Sequence, residues 1–318
     1  MPMICLSDFE AYAKKHLSKT TWDFFAAGAD ECCTRDENLL AYKRIRFRPR
    51  ILRDMSVMDT RTTLLGTEIS FPVGIAPTGF HRLAWPDGEK STARAAEAMN
   101  TCYITSTFST CTVEEIAAVA PNGFRWFQLY IHCNRALSEG LVRRVEAAGF
   151  QGLVLTADLP YTGKRRDDIR NNFQLPPHMT VKHFEGVFEG ILTKEDADLA
   201  VRHGVQGIIV SNHGGRQLDG GPATIDALIE IVDTVQDRVE VYLDGGIRTG
   251  SDVLKALALG AKCVFLGRPA LWGLTYKGEE GLRKVLQILH DEFRLSMALA
   301  GCHSVSGIGR NLVQVSKL

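Results

Sequence analysis

The sequence lacks any apolar run of the roughly 20 residues that would span a bilayer. It also has no surplus of basic residues, because Lys+Arg and Asp+Glu both number 37 and the formal net charge is zero. Since nucleic-acid-binding surfaces are usually strongly basic, we expect no nucleic-acid partner. The N-terminus has no basic segment followed by an apolar one, so we expect neither a secretory signal nor a membrane span.

Cysteine is present without a recognisable pattern. The eight cysteines are scattered, with no C-x-x-C pair and no histidine at the spacing of zinc ligands. In the absence of a secretory signal, such a set is weak evidence for disulfides. We therefore expect reduced thiols, most of them in the core, and no metal site.

Strand-like and helix-like segments alternate from about residue 71 onward in this chain of 318 residues. Such alternation predicts a parallel sheet with helices outside it. The predicted strands are Phe71–Ala76, Thr101–Ser106, Phe124–Tyr130, Gly152–Thr156, Gly207–Ser211, Glu240–Leu243 and Cys263–Leu266. The predicted helices are Gly88–Met99, Thr112–Val119, Arg135–Ala148, Lys194–His203, Ile225–Val235, Ser251–Leu259 and Gly278–Ala300.

These strands predict an α/β fold, a TIM (β/α)8 barrel with one βα unit truncated. The best candidate for the missing strand is Val187–Leu192, which contains a glutamate and a glycine. We predict one domain over residues 1–318, with a helical lead-in over 1–70, the barrel over 71–301 and a tail over 302–318. Within the lead-in, Arg44–Ile51 and Thr60–Ile69 are predicted to form a short ribbon that closes the base of the barrel.

Polar residues are concentrated where the predicted strands end, and barrel enzymes have their active sites at that edge. The last two strands end in Gly245-Gly246 and in Gly267-Arg268. Glycines let the backbone approach a ligand closely, and an arginine can bind phosphate with two donors. One such pair alone would suggest a tight turn, but two successive strand ends with Arg248 and Arg268 predict a phosphate site.

His213 is the best candidate for a general base, since it follows a strand, is flanked by glycine and lies three residues before Arg216. Asp158, at the end of another strand, could orient the imidazole and stabilise its protonated form. Arg165 and Arg216 could hold a carboxylate. Taken alone, Arg165 fits a solvated charge better than a ligand-binding one, since it lies in a mixed-charge loop.

Six short runs together form a recognisable set: Ser211–Asp219, Phe47–Arg50, Ile75–Thr78, Phe127–Tyr130, Leu243–Gly246 and Leu266–Pro269. The set resembles the motifs of the FMN-dependent L-2-hydroxy-acid oxidases, and Ser211–Asp219 resembles the signature of that family. The resemblance implies FMN-dependent oxidation of L-2-hydroxy acids, long-chain aliphatic or aromatic, to 2-oxo acids, with O2 reduced to hydrogen peroxide. It leaves open whether the hydrogen leaves as hydride or as a proton followed by electrons. It also implies a homo-oligomer, usually a tetramer.

The resemblance implies a role for each matched residue. His213 would be the general base, Asp158 its partner, and Tyr130 a hydrogen-bonding group near the substrate hydroxyl. Arg165 and Arg216 would bind the substrate carboxylate. The residues implied to bind FMN are Pro77, Thr78, Gly79, Ser106, Gln128 and Thr156, and, toward its phosphate, Asp244, Gly246, Arg248, Gly267 and Arg268.

Two departures from the family pattern affect this function. Phe24 stands where short-chain members have tyrosine, and Phe108 stands where the glycolate enzymes have tryptophan, so we expect longer or bulkier apolar substrates. The segment between Asp158 and Gly207 is short, and Glu189 takes the place of a lysine that faces the flavin. The second hypothesis is therefore an impaired or silent form with weak FMN retention, which would act, if at all, through association with intact subunits.

Further alternatives follow from the same segment and from the end of the sequence. The short segment is either a natural variant or an omission of residues, and in the latter case Glu189 and Gly190 are not true neighbours in one strand. A different phosphate-handling barrel enzyme, such as an isomerase, is a third hypothesis, disfavoured by the run around His213. Ser316-Lys317-Leu318 matches a peroxisomal address, so we expect a peroxisomal location and the import receptor as a partner.

Overall fold

The lead-in closes the base of a barrel. The structure, a computed structural model, describes residues 2–132, 134–173 and 188–316. The lead-in contains helices α1 (Leu6–His16), α2 (Lys19–Ala26) and α3 (Cys33–Leu40) and strands β1 (Ile45–Phe47), β2 (Thr62–Leu64) and β3 (Thr67–Ile69). Strands β2 and β3 form an antiparallel hairpin, and Leu64 and Ile69 are fully buried against the barrel interior. The predicted pairing of this segment with Arg44–Ile51 is wrong, because β1 pairs with Val313–Val315 near the C-terminus.

Eight parallel strands form a closed barrel. They are β4 (Val73–Ile75), β5 (Tyr103–Thr105), β6 (Arg125–Leu129), β7 (Gly152–Thr156), β8 (Phe188–Ile191), β9 (Gly207–Val210), β10 (Glu240–Asp244) and β11 (Cys263–Leu266). Each strand pairs with the next in the chain, and β11 pairs with β4. The predicted TIM barrel is confirmed, with its side chains fully buried along most strands, as expected when helices cover a parallel sheet.

Helices follow the strands on the outside. They are α4 (Glu89–Ala98), α5 (Val113–Val119), α6 (Arg135–Ala147), α7 (Arg166–Arg170), α8 (Lys194–Arg202), α9 (Thr224–Val235), α10 (Gly250–Ala258) and α11 (Arg268–Ala300). Thr112, Asn134, Thr193 and Thr249 each cap a helix by accepting a hydrogen bond from a backbone N–H of the first turn. These caps explain why the predicted starts agree with the structure to within a residue or two.

Strand β8 is the predicted missing strand, although Val187 lies outside the described residues. Glu189 pairs in register with Thr156 of β7 and Ile209 of β9. The register shifts between Glu189 and Ile191, and Gly190 has a φ of +95°. A Cβ at residue 190 would lie 2.5 Å from Asp158 Cβ, so this bulge requires glycine and brings Asp158 close to the strand.

The last helix is longer than predicted. Helix α11 begins at Arg268 rather than at Gly278, and its backbone is non-helical at Lys277 and Gly278. The chain ends in strand β12 (Val313–Val315). No helix of the described residues is long and apolar enough to cross a membrane. The seven cysteines that the structure describes are free thiols.

Candidate active site

A cavity of about 610 Å³ lies at the edge of the barrel where the strands end. Nearly all of the predicted site residues line it: Phe24, Pro77, Thr78, Gly79, Ser106, Phe108, Gln128, Tyr130, Arg165, His213, Arg216, Asp244, Gly246, Arg248, Gly267 and Arg268. The two predicted site residues outside this lining, Thr156 and Asp158, hydrogen-bond to residues that line it. The strand ends therefore bring the predicted set together around one volume.

His213 and Asp158 form a hydrogen-bonded pair at this cavity. His213 Nδ1 lies 3.2 Å from Asp158 Oδ1, and both side chains are largely buried. A carboxylate can only accept, so Nδ1 carries the proton and Nε2 keeps its lone pair. His213 has a φ of +57°, and its backbone N–H donates to Ser211 Oγ at 3.0 Å, which fixes the turn that presents the ring.

Two arginines approach this pair. The Arg216 guanidinium lies 5.3 Å from the centre of the Phe24 ring, and its Nη1 donates to the carbonyls of Phe24 at 2.7 Å and Ala27 at 3.1 Å. Burial, with Arg165 and Arg268 nearby, holds the pKa of Arg216 well below its usual range. Arg165 is not the solvated charge that its sequence context suggested. Its side chain is largely buried, lines the cavity and has a buried Nε without a hydrogen-bond partner among the described residues.

Arg248 and Arg268 supply positive charge at the other end of the cavity. Arg268 donates to the carbonyls of Phe25, Gly214 and Ala27 at 2.8 to 3.0 Å, and Arg248 donates to Ile247 O at 2.9 Å. Burial and the neighbouring Arg248 lower the pKa of Arg268 to about 9.

None of the three arginines Arg216, Arg248 and Arg268 forms an ion pair with a carboxylate in the described part of the chain. A buried charge without a counter-charge is costly. The cavity is therefore built to receive anions at two places.

A row of hydrogen bonds crosses the wall of the cavity. Thr107 N–H donates to Gln128 Oε1 at 3.0 Å, and Gln128 Nε2 donates to Thr156 Oγ1 at 2.9 Å. Because Thr156 Oγ1 already accepts, its own hydrogen goes to Glu189 Oε2 at 2.5 Å. This row fixes the Gln128 amide orientation and ends at a carboxyl group.

Glu189 is the unexpected member of the site. It is 5% exposed, and it forms no ion pair with a cation within the described ranges. Burial raises the pKa of Glu189 well above its usual range, and the carboxylates of Asp244 and Asp158 raise it further. Burial likewise raises the pKa of Asp244 to about 7. The site therefore favours the uncharged form of the Glu189 carboxyl more than water does.

Aromatic rings line the outer part of the cavity. Phe24 stacks on Phe173 with ring centres 4.2 Å apart, and the row continues through Phe80 and Phe108 to Tyr130 at centre distances of 5.1 to 5.9 Å. Burial raises the pKa of the Tyr130 phenol far above its usual range, so the phenol stays protonated and can donate. The wall combines a large apolar surface with one hydroxyl donor.

Sequence reasoning missed two members of this region. Phe80 lines the cavity, and its position directly after the strand end Pro77–Gly79 could have revealed it. His81 is fully buried and hydrogen-bonds to Thr78. No local pattern distinguishes His81 from a surface histidine, because its burial depends on helix α4.

The comparisons with known proteins agree with this geometry. The model of the FMN-dependent dehydrogenase family matches residues 13–189 and 185–315. The chain belongs to the FMN-dependent dehydrogenase family. It is 56% identical to the bovine protein named 2-hydroxyacid oxidase 2, with 100% of both chains covered, and 45% identical to spinach glycolate oxidase, with 98% of this chain and 95% of the relative covered. A solved structure of mandelate oxidase with (S)-2-phenylpropionate superposes with a TM-score of 0.94 at 40% identity over 99% of both chains.

Membership in this family confirms the predicted family, the FMN cofactor of its members and the predicted enzyme class, that of the 2-hydroxyacid oxidases.

The two matched segments of the family model overlap at residues 185–189, and the bovine alignment runs over 353 positions against the 318 residues of this chain. The shortened connection predicted between Asp158 and Gly207 is therefore a difference from the relatives, at residues 185–189, where the two matched segments overlap.

The residues at the phosphate end of the cavity fit an anionic nucleotide better than the residues at the ring end do. The half-buried Arg248 and Arg268, which form no ion pair with a carboxylate in the described ranges, suit a phosphate, and Gly267 has open space beside its backbone, since a Cβ added there would lie 3.7 Å from the nearest atom. Ser106, Gln128 and Thr156 offer polar groups for a ring system. At the end of that row, Glu189 offers a carboxyl group with a raised pKa where a cation would suit an electron-rich ring.

Proposed function

We propose that this chain oxidises L-2-hydroxy acids to 2-oxo acids with FMN, and that O2 is the final electron acceptor and forms hydrogen peroxide. The observation that carries the proposal is that His213, held by Asp158, lines the same cavity as Arg216 and Arg268, which form no ion pair with a carboxylate of the described residues. When bound, FMN supplies the two-electron acceptor. Arg248, Arg268, Asp244, Gly246 and Gly267 would hold its phosphate-bearing chain.

The substrate carboxylate would bind Arg216 and Arg165, which compensates the buried positive charge of both. Its hydroxyl would lie near the Tyr130 phenol, which donates a hydrogen bond. His213 Nε2 then removes a proton from the bound acid, and Asp158 stabilises the imidazolium that results. A hydride route and a route through a proton and electrons place the same demands on these side chains.

The aromatic row supports a substrate with a long or bulky apolar side chain. Phe24 brings no hydroxyl to the carboxylate, and its face is already covered by Phe173 and the Arg216 guanidinium. Phe108 and Phe80 continue the apolar surface toward Tyr130. Each such pocket difference is worth about 1–3 kcal/mol in substrate preference.

The test is an anaerobic titration of the purified, FMN-supplemented chain with glycolate, mandelate and 2-hydroxypalmitate, following the bleaching of flavin absorbance. We expect bleaching by mandelate and 2-hydroxypalmitate, and none in a His213→Gln variant that still binds FMN. Bleaching that is equally fast in His213→Gln contradicts the role of His213. Turnover of a phosphosugar without bleaching favours the isomerase alternative instead.

One observation favours a second candidate, an impaired form. Glu189 places a carboxyl beside Asp244 and Asp158 at the ring end of the site, where extra negative charge on a reduced ring is unfavourable. Once Glu189 ionises, its charge and a negative charge about 4 Å away on the ring repel by about 4 kcal/mol at an effective dielectric constant of about 20. Such a form would bind FMN weakly and oxidise slowly. Purified chain that is yellow, with one flavin per chain and fast bleaching, excludes this candidate.

We further propose a peroxisomal location, a homotetramer and one domain with the boundaries given above. Ser316-Lys317-Leu318 supports the location through the import receptor, and Lys317 and Leu318 lie outside the described residues. A fluorescent fusion that places its label at the N-terminus should enter peroxisomes and become diffuse when these three residues are deleted. Light scattering on the purified chain tests the tetramer.

A further inference from the structure

A buried histidine outside the catalytic pair connects the cavity to helix α4. His81 is 0% exposed; its Nε2 lies 2.6 Å from Thr78 Oγ1 and its Nδ1 lies 2.8 Å from Thr92 Oγ1. Thr78 lines the cavity, whereas Thr92 is fully buried in α4. Each ring nitrogen thus has one hydroxyl partner, and only one of these hydroxyls faces the ligand volume.

The ring of His81 is neutral. Burial lowers its pKa, and the nearby Glu89 carboxylate only partly opposes this effect. Glu89 is occupied elsewhere: it accepts from the backbone N–H groups of His81, Thr110 and Cys111 at 2.9 to 3.1 Å and from the Thr110 hydroxyl. The Tyr103 ring packs 6.2 Å from the imidazole and remains protonated, because burial raises its pKa. In a neutral imidazole one nitrogen donates and the other accepts.

Thr92 determines which nitrogen donates. In the described part of the chain, the only hydrogen-bond partner of the Thr92 hydroxyl is His81 Nδ1. If Nδ1 carried the proton, the Thr92 hydrogen would be buried without an acceptor, which is costly. Thr92 therefore donates to Nδ1, and Nε2 carries the ring proton and donates to Thr78 Oγ1. The hydrogen of Thr78 has no other acceptor among the described residues, so it is available to the cavity.

We propose that His81 is a positioning residue that makes the Thr78 hydroxyl a hydrogen-bond donor toward a carbonyl-bearing ring in the cavity. With the opposite tautomer, Thr78 would donate to His81 and would present only lone pairs, which a ring carbonyl cannot use. The identity of that ring as a flavin rests on the proposed function. The position of the ring proton on His81 does not depend on the proposed function, because it follows from the protein contacts alone.

The first test locates the proton and needs no cofactor. Long-range ¹H–¹⁵N correlation spectra of the chain labelled with ¹⁵N-histidine distinguish a protonated from an unprotonated ring nitrogen. The His81 signals are those that disappear in His81→Gln. We expect a protonated Nε2 and an unprotonated Nδ1 at neutral pH. A proton on Nδ1, or on both nitrogens, overturns the proposal.

The second test measures FMN affinity by the quenching of FMN fluorescence. Thr78→Val and His81→Leu should each weaken FMN binding by roughly 2- to 10-fold, the effect of one hydrogen bond, and the double variant should be no weaker than either. His81→Gln, whose amide can donate to Thr78, should recover most of the affinity. Losses that add in the double variant, or no recovery in His81→Gln, contradict the proposal.

His290 provides a matched control. It is half-buried, and its Nε2 lies 3.0 Å from Thr60 Oγ1, away from the residues that line the cavity. His290→Leu removes a similar histidine–threonine contact and should leave FMN affinity unchanged. If the unmodified chain does not bind FMN at all, the proposed function fails, while the nitrogen spectra still decide the tautomer of His81.

Discussion

Replacing Glu189 by lysine tests the electrostatics of the site most directly. Glu189 is 5% exposed, its Oε2 accepts from Thr156, and the carboxylates of Asp244 and Asp158 raise its pKa. A lysine ammonium in this place would face the same two carboxylates, which would now stabilise its charge. It would also attract an electron-rich ring, which the Glu189 carboxyl does not. We therefore expect Glu189→Lys to bind FMN more tightly than the unmodified chain.

The size of the effect follows from the charges. Placing a positive charge beside an electron-rich ring adds an attraction of a few kcal/mol at an effective dielectric constant of about 20. Desolvation of the buried ammonium offsets part of this gain. We expect a net tightening of roughly 10- to 100-fold in the FMN dissociation constant, which corresponds to about 1.4–2.8 kcal/mol. Quenching of FMN fluorescence at neutral pH measures it.

Two variants control this experiment. Glu195→Lys changes the net charge equally but lies exposed on α8, and should leave FMN affinity unchanged. Glu189→Gln keeps the shape and stays neutral; its FMN affinity should fall less with rising pH than that of the unmodified chain, in which rising pH also ionises Glu189. If Glu189→Lys binds FMN no more tightly than Glu189→Gln, the electrostatic reasoning is refuted.

Three further predictions concern the site. Asp158→Asn should lower kcat/KM by about 10²- to 10⁴-fold, because an amide donating to Nδ1 places the His213 proton on the wrong nitrogen; steady-state peroxide production measures this. Phe24→Tyr should shift the kcat/KM ratio toward glycolate over 2-hydroxypalmitate by about 1–3 kcal/mol. Asp244→Asn should flatten the pH dependence of the urea midpoint of the FMN-free chain. The Asp244 pKa is raised to about 7, so deprotonation of the unfolded chain between about pH 4 and 7 lowers native stability.

Each of these predictions has a contradicting result. A loss below tenfold in Asp158→Asn would mean that the hydrogen bond to His213 is not needed for catalysis. An unchanged substrate ratio in Phe24→Tyr would mean that the aromatic row does not contact the acyl chain. An equal fall of the urea midpoint with pH in Asp244→Asn and the unmodified chain would show that Asp244 ionises normally in the folded protein.

The barrel could be predicted because its signals are local. Continuous apolar runs marked the strands, and threonine and asparagine caps marked the helix starts. Strand β8 was identified despite Glu189, since a barrel needs a strand between β7 and β9. The pairing of β1 with β12 could not be predicted, because it joins segments far apart in the chain, Ile45 with Val315, with no shared local pattern. The early start of α11 was missed because Lys277 and Gly278 interrupt the helical pattern.

Which residues form the site could be predicted from the sequence better than their burial and protonation. Strand ends and glycine-flanked polar residues identified His213 and Arg268, since these signals lie in the sequence itself. The burial of Arg165 was not predictable from its charged neighbours, because tertiary packing decides it. The tautomer of His81 depends on Thr92, which belongs to a different element.

The pairing of β1 with β12 ties the lead-in to the C-terminal strand. Three residues of each strand are in register, and Ser316 N–H donates to Arg44 O at 3.1 Å. Removing either strand would therefore deprive the other of its backbone partners and expose an unsatisfied strand edge, a template for self-association. Expression designs that remove β1 with everything before it, or β12 with everything after it, should yield aggregates rather than a smaller soluble enzyme.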